Sequence, residues 1–177
     1  TIESHAFERC IGLTSLRIHS VAGAKLSDSA FQDCKGLESV QFAPRGTFLG
    51  RWAFGMCDAL RTVIFDPPAV PELAHLGYGC FANCFALEEI RLPDTVDSLG
   101  EMAFYRSGLR SIQLSSQLKK IGKHAFRKCA NLSRVDLPHN IFRVHLRAFE
   151  ECPAEVYWRG MRITPERGVL PWANYVP

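Results

Sequence analysis

Seven cysteines and six histidines are the residues of this 177-residue chain best suited to chemistry. Thiolates and imidazoles hold zinc, and a thiolate beside an oriented base is a nucleophile. The nearest approach to a metal set is Cys80 and Cys84, with His75 close by. No second ligand pair at zinc-like spacing accompanies them. Six of the cysteines, all but Cys80, instead fall three residues after a phenylalanine: Cys10, Cys34, Cys57, Cys84, Cys129 and Cys152. After Phe104 a serine, Ser107, takes the same place. A required disulfide partner or ligand would not survive that exchange, so the column reads as free thiols packed as small hydrophobes. A reactive thiol needs an electropositive, partly open setting, and equivalents repeated down a column single out none. His5 and His124 immediately precede an alanine, while His19, His139 and His145 fall at strand exits or in loops. They read as solvated turn residues. Nothing resembles a phosphate loop or a serine nucleophile elbow, and no paired-carboxylate site is found. The sequence points away from an enzyme, a metal site or a cofactor.

What must position these residues is a repeat. Phenylalanines at 7, 31, 54, 81, 104, 126 and 149 are separated by 24, 23, 27, 23, 22 and 23 residues. Self-similarity at such a period marks a solenoid. Four residues before the alanine that precedes each phenylalanine stands an aliphatic: Ile2, Leu26, Leu49, Leu76, Leu99, Ile121 or Val144, with Cys80 replacing the alanine once. Glycine follows it at Gly50, Gly77, Gly100 and Gly122, which suggests a tight turn needing permissive backbone. After the cysteine column, apolar residues alternate with one outward residue, as in Leu16/Ile18, Val40/Phe42 and Ile112/Leu114. That pattern is a half-buried strand. It predicts strands near 15–18, 39–42, 62–65, 89–92, 111–114, 134–137 and 155–158, with Pro93 and Pro138 ending two of them. The Ala-Phe segment predicts a single helical or 3₁₀ turn, too short for a free-standing helix. No unit buries its apolar face alone, so neighbours must stack.

The clearest unit runs Leu87-Glu88-Glu89-Ile90-Arg91-Leu92-Pro93, then Val96-Asp97-Ser98-Leu99-Gly100-Glu101-Met102-Ala103-Phe104. This pattern resembles the BspA-like subclass of leucine-rich repeats, over residues 2 to about 158. The resemblance implies an α/β, mostly β solenoid of about seven coils, with a parallel concave sheet and short helical turns on the other face. It also implies use in recognition, often on surface or adhesion proteins, and it carries no catalytic residue.

Two places break the pattern. Four extra residues fall within Asp66 to Leu73, where Pro67, Pro68 and Pro71 suggest a stiff surface protrusion. From Arg159 to Pro177 the repeat dissolves while Met161, Ile163, Leu170, Trp172 and Tyr175 stay apolar. The expected division is a solenoid over 1–158 and a C-terminal cap over 159–177. Thr1 and Ile2 enter in mid-unit, leaving the first strand as an open edge. The expectation is that further polypeptide or another subunit covers it, the chain being a fragment or a component of a larger assembly.

Hydrophobic residues at 47% and charged residues at 22% suit a globular chain, and a net charge of +3 is too small to argue for nucleic acid or an anionic membrane. Lys119, Lys120 and Lys123 are the densest basic stretch and read as a solvated face. No apolar run reaches the ~20 residues of a membrane span, and with no charged-then-apolar stretch at the start the expectation is a signal peptide that is absent or already removed. The compartment stays open, since buried thiols persist in either redox environment. Partners are sought on the concave face, at the outward strand residues Arg17, Gln41, Ile64, Arg91, Gln113, Asp136 and Tyr157. Arginine and tyrosine are enriched at interface hot spots, and an aliphatic at 64 has no core duty. The leading reading is a non-catalytic protein-interaction or scaffold module. The alternative is a secreted or cell-surface adhesin-like domain, for which the sequon Asn131-Leu132-Ser133 is weak support.

Overall fold

In a computed structural model of the chain, which describes residues 1–19, 24–42, 47–66 and 75–164, two rows of short strands run along one continuous core. The first row holds β1 (Ser15–Ile18), β3 (Ser39–Phe42), β5 (Thr62–Phe65), β7 (Glu89–Arg91), β9 (Ser111–Gln113), β11 (Arg134–Leu137) and β13 (Glu155–Trp158). These are the strands expected from alternation, two of them one residue shorter. The second row was not expected. It holds β2 (Ala24–Leu26), β4 (Thr47–Leu49), β6 (His75–Leu76), β8 (Ser98–Leu99), β10 (Lys120–Ile121) and β12 (Arg143–Val144). These six form one unbroken parallel sheet, and Ile2 adds an isolated bridge to Leu26. Each coil therefore contributes two strands.

Between the second-row strand and the next first-row strand lies the Ala-Phe-x-x-Cys segment. It is not helical: no helix occurs among the described residues. The residue before the alanine slot takes positive φ in six of the seven units, Arg147 being the exception, and the residue before the cysteine slot does so in all seven, as at His5 and Arg9, Ser29 and Asp33, Trp52 and Met56, Met102 and Arg106. L-residues enter that region only singly, so a left-handed residue at every fourth position stops a helix before its second turn. The backbone groups go elsewhere. Phe7 N–H donates to Ala30 O at 2.9 Å and Arg9 N–H to Gln32 O at 2.9 Å in the next coil, while Glu8 and Cys10 close three-residue turns onto His5 O and Phe7 O. Every second amide thus ties one coil to its neighbour.

The phenylalanines do stack. Phe7, Phe31, Phe54, Phe81, Phe104, Phe126 and Phe149 follow one another with centroids 5.1–5.7 Å apart and planes within 11°. The inner five are fully buried, each contributing roughly 1.5–3 kcal/mol. A second pair, Phe42 on Phe65 at 4.9 Å, lies under the first row, and Phe42 meets Phe54 edge-on.

The glycine column has a different cause from a permissive turn. Gly50, Gly77, Gly100 and Gly122 do not take positive φ. A Cβ on Gly77 would lie 2.6 Å from Gly50 O, and one on Gly100 would lie 2.7 Å from Leu76 O. Adjacent coils approach too closely there for any side chain.

At the C-terminal end, β14 (Met161–Ile163) turns back through Arg159 and Gly160, both at positive φ, to pair antiparallel with β13. Leu170, Trp172 and Tyr175 lie outside the described residues, as do residues 67–74 of the proline-rich insertion.

Candidate functional site

The thiols that opened the chemical question face the core. Cys34, Cys57, Cys80, Cys84 and Cys129 are fully buried, and Cys10 and Cys152 partly so. Burial pushes the Cys57 and Cys129 thiols up to about 12, and Cys80 and Cys84 well above the ordinary range. The column has a role beyond filling space. Cys34 Sγ donates to Phe7 O at 3.1 Å, Cys57 to Phe31 O at 3.2 Å, Cys84 to Phe54 O at 3.2 Å and Cys129 to Phe104 O at 3.0 Å. Each thiol satisfies a carbonyl one coil away, a recurring geometry of the weak S–H···O kind. Ser107, also a small donor, lies with its Oγ 3.4 Å from Cys129 Sγ.

The histidines form no base–nucleophile set. His75 does not join Cys80 and Cys84; its Nδ1 lies 2.8 Å from Ser98 Oγ, which donates to Asp97 Oδ1 at 2.8 Å. That trio has the components of a hydrolase triad in the wrong order. The hydroxyl proton faces the carboxylate, so the imidazole takes no proton from it. Burial holds the His75 imidazole below its usual range. His124 is buried with Nε2 3.1 Å from Glu150 Oε2, the oxygen that also takes Arg127 Nε at 2.9 Å. Among the described residues no three metal-ligating side chains converge.

The seven outward residues of the first row fall into three runs. Parallel register sets Arg17 beside Gln41 beside Ile64, then Arg91 beside Gln113, then Asp136 beside Tyr157. Between the runs the first row splits: no ladder joins β5 to β7 or β9 to β11. The outer runs are paired within themselves. Gln41 Nε2 donates to both oxygens of Asp66 at 2.9 Å, and Arg17 reaches the same carboxylate at 4.0 Å. Arg134 clasps Asp136 through two nitrogens, at 2.8 and 2.7 Å, and its guanidinium lies 4.1 Å above the Tyr157 ring. Tyr157 Oη donates to Glu155, which Arg162 also meets. The middle differs. Ile64 is 47% exposed, and a cavity of about 550 Å³ opens at the β5/β7 seam between Ile64, Arg91 and Gln113. A second, of about 480 Å³, continues past Phe65 to Pro93 and Asp94. Residue type put Arg17, Arg91 and Tyr157 first and Ile64 next, while the alternation that located the seven positions ranked none of them. Neither carries information on which strands are laddered or which side chains are already paired.

The family model for the BspA type leucine rich repeat region matches residues 1–74 and 69–156, in six copies. The chain belongs to this family. Members are generally protein-interaction and surface-protein modules, and generally not enzymes. Among solved structures, a leucine-rich repeat protein from Bacteroides ovatus superposes with a TM-score of 0.63 at 21% identity, over 84% of this chain and 46% of that one. The T. pallidum leucine rich repeat protein superposes with a TM-score of 0.65 at 21% identity, over 92% of this chain and 84% of that one. The chain spans about half the length of the Bacteroides protein, and at such identities the likeness shows the fold alone. Among curated proteins none matches the sequence.

Proposed function

We propose that this leucine-rich-repeat chain is a non-catalytic protein-interaction module, serving as a scaffold or peripheral component of a larger assembly. Its contact face is the outward side of the first strand row, centred on Ile64, Arg91 and Gln113. The observation that carries this reading is the contrast along the row. Arg17, Gln41, Asp136 and Tyr157 are engaged by neighbours on the same face, whereas Ile64 stands exposed at the seam cavity beside Arg91 and Gln113. Arginine is enriched at interface hot spots, and the exposed aliphatic beside it has no core duty. The stretch 159–177 is assigned to a cap over the last coil, of which β14 is the first part.

The test is alanine replacement at Ile64 and Arg91, against a second variant at Arg17 and Tyr157. The first variant loses the chains that co-purify with the wild type, with an unchanged melting temperature; the second keeps most of them. Full retention by the first variant would place the contact elsewhere. The adhesin-like alternative is favoured by one observation: Asn131 of the sequon is exposed beside the buried Leu132. It predicts a glycan mass at Asn131 in material from its natural source, and an unmodified peptide there counts against it.

A further inference from the structure

The second strand row carries a feature that the interaction module does not use. Lys119, Lys120 and Lys123 belong to β10 and its flanks, Arg143 and Arg147 to β12 and its following turn. The fold brings the two groups together. Lys120 is in register with Arg143, Lys119 O accepts the amides of Phe142 and Arg143 at 3.0 and 3.1 Å, and Arg147 O accepts the His124 amide at 3.2 Å. All but Lys123, which is half-buried, are exposed. Several cations elsewhere are matched, Lys35 with Asp33 and Asp58, Arg127 with Glu150 and Glu151, Arg134 with Asp136, and those that are not, such as Arg51 and Arg106 over the Tyr78 and Phe85 rings, do not gather on one face. None of the five cations of β10, β12 and their flanks takes part in an ion pair among the described residues; Lys120 instead sits with Nζ 5.4 Å from the Phe142 ring centroid. The nearby carboxylates are Asp97, hydrogen-bonded by Ser98, and Glu101. The field of the cluster is felt at His145, whose imidazole is held below its usual range by burial and then by Lys123, His124 and Arg143, with Glu101 opposing.

The fold does not require this arrangement. Outward positions are free of packing duty, and like charges in register across a ladder are destabilising. Two exposed apolar side chains lie within the cluster, Phe142 at 53% and Leu146 at 49%. The cavities described above lie along the first row and not on this face. Cations interleaved with exposed apolar side chains match a phospholipid interface, where charge meets headgroups and an aromatic enters the acyl boundary. We infer that this face of β10 and β12 docks on anionic phospholipid headgroups, with Phe142 and Leu146 entering the interface.

Flotation of the chain with vesicles tests this, using phosphatidylcholine alone and phosphatidylcholine with about a third phosphatidylglycerol. The chain floats with the anionic vesicles only, and loses them at high salt as the field is screened. Lys120→Gln with Arg143→Gln weakens partitioning about 25-fold, at about fivefold per cation. Phe142→Ser with Leu146→Ser weakens it as well, and Lys35→Gln leaves it unchanged. All these positions are at the surface, and circular dichroism melts confirm that each variant is folded. Equal flotation with neutral vesicles, an unaffected Lys120/Arg143 variant, or binding to heparin or duplex DNA without binding to vesicles would each overturn the assignment.

Discussion

Cys57 offers a way to separate the two roles of a buried thiol, as a hydrophobe and as a donor. It is fully buried, and its Sγ lies 3.2 Å from Phe31 O. Cys57→Ala removes the sulfur, forfeiting about 0.8 kcal/mol for a group of methylene size. It also removes the weak S–H···O bond to the carbonyl, worth about 0.5–1 kcal/mol. The expected loss is therefore about 1.5 kcal/mol, or roughly 1 M in a urea midpoint at a typical slope. Cys57→Ser gives up apolar burial but keeps a donor in the same place, and its expected loss is about 1 kcal/mol or less. Serine is thus the milder substitution, the reverse of the order for a purely hydrophobic site. The chain already holds one such exchange, at Ser107. Urea unfolding followed by circular dichroism, with slopes equal among the three proteins, reads the order directly. A serine variant as unstable as the alanine variant, or less stable, would refute the donor account and leave the thiol as filling alone.

Four further outcomes follow from the same stack. Alkylation of the folded chain at pH 8 should modify Cys10 and Cys152 first and leave the five buried thiols intact, as read by peptide mass. Because burial raises the folded-state value for Cys57 and Cys129 to about 12 from an ordinary 9.0, their contribution is fully present below pH 9 and is lost as pH rises towards 12; the melting temperature should fall across that window, and more gently in a Cys57→Ser variant. Phe104→Ala, at a fully buried ring stacked on both sides, should cost about 3–5 kcal/mol. Phe7→Ala, at a ring 44% exposed with one stacked neighbour, should cost less than half as much, and equal losses would argue against the stack as the stabilising unit. Gly100→Ala places a Cβ 2.7 Å from Leu76 O and should cost about 1–3 kcal/mol; Gly12→Ala meets nothing within 4 Å and should be neutral by the same measurement.

The parts of the fold legible in the sequence are those in which a residue type repeats because a packing environment repeats. Phe7 through Phe149 announce a column because every coil offers the same slot, and the first-row strands announce themselves because Val40/Phe42 or Val135/Leu137 alternate over enough residues to show a period. The second row was missed for the opposite reason. Strands such as Ser98–Leu99 offer a single apolar residue, and one residue has no period. The Ala-Phe segment misleads because its left-handed positions are filled by Ser29, Met56, Arg106 and Lys128, residues that do not advertise that conformation. Its backbone hydrogen bonds run to partners in a neighbouring coil 21 to 26 residues away, beyond the reach of local pattern. The glycine column was visible, but a turn and a close approach select the same residue, and only the 2.6 Å separation at Gly77 tells them apart.

Exteriors obey no such repetition, and this is why averages misled there. A net charge of +3 describes the whole chain, yet stacking sets equivalent positions of adjacent coils side by side, about 4.8 Å apart. Residues distant in sequence, such as Lys120 and Arg143, become immediate neighbours, and a modest overall charge is compatible with a dense local one. The same geometry decides between the outward residues of the first row. Arg134 finds Asp136 on its own strand and Tyr157 on the next, whereas Ile64 and Arg91 face each other across a seam with no ladder. Both surfaces lie outside the core columns, and in a solenoid each coil answers mainly to its neighbours. Substitutions at Ile64 and Arg91, or at Lys120 and Arg143, should therefore change what the chain touches without lowering its melting temperature, the second pair raising it slightly as the like charges in register are relieved. Core substitutions such as Cys57→Ala should do the reverse. A variant of either exterior pair that unfolds the chain would contradict that separation of stability from recognition.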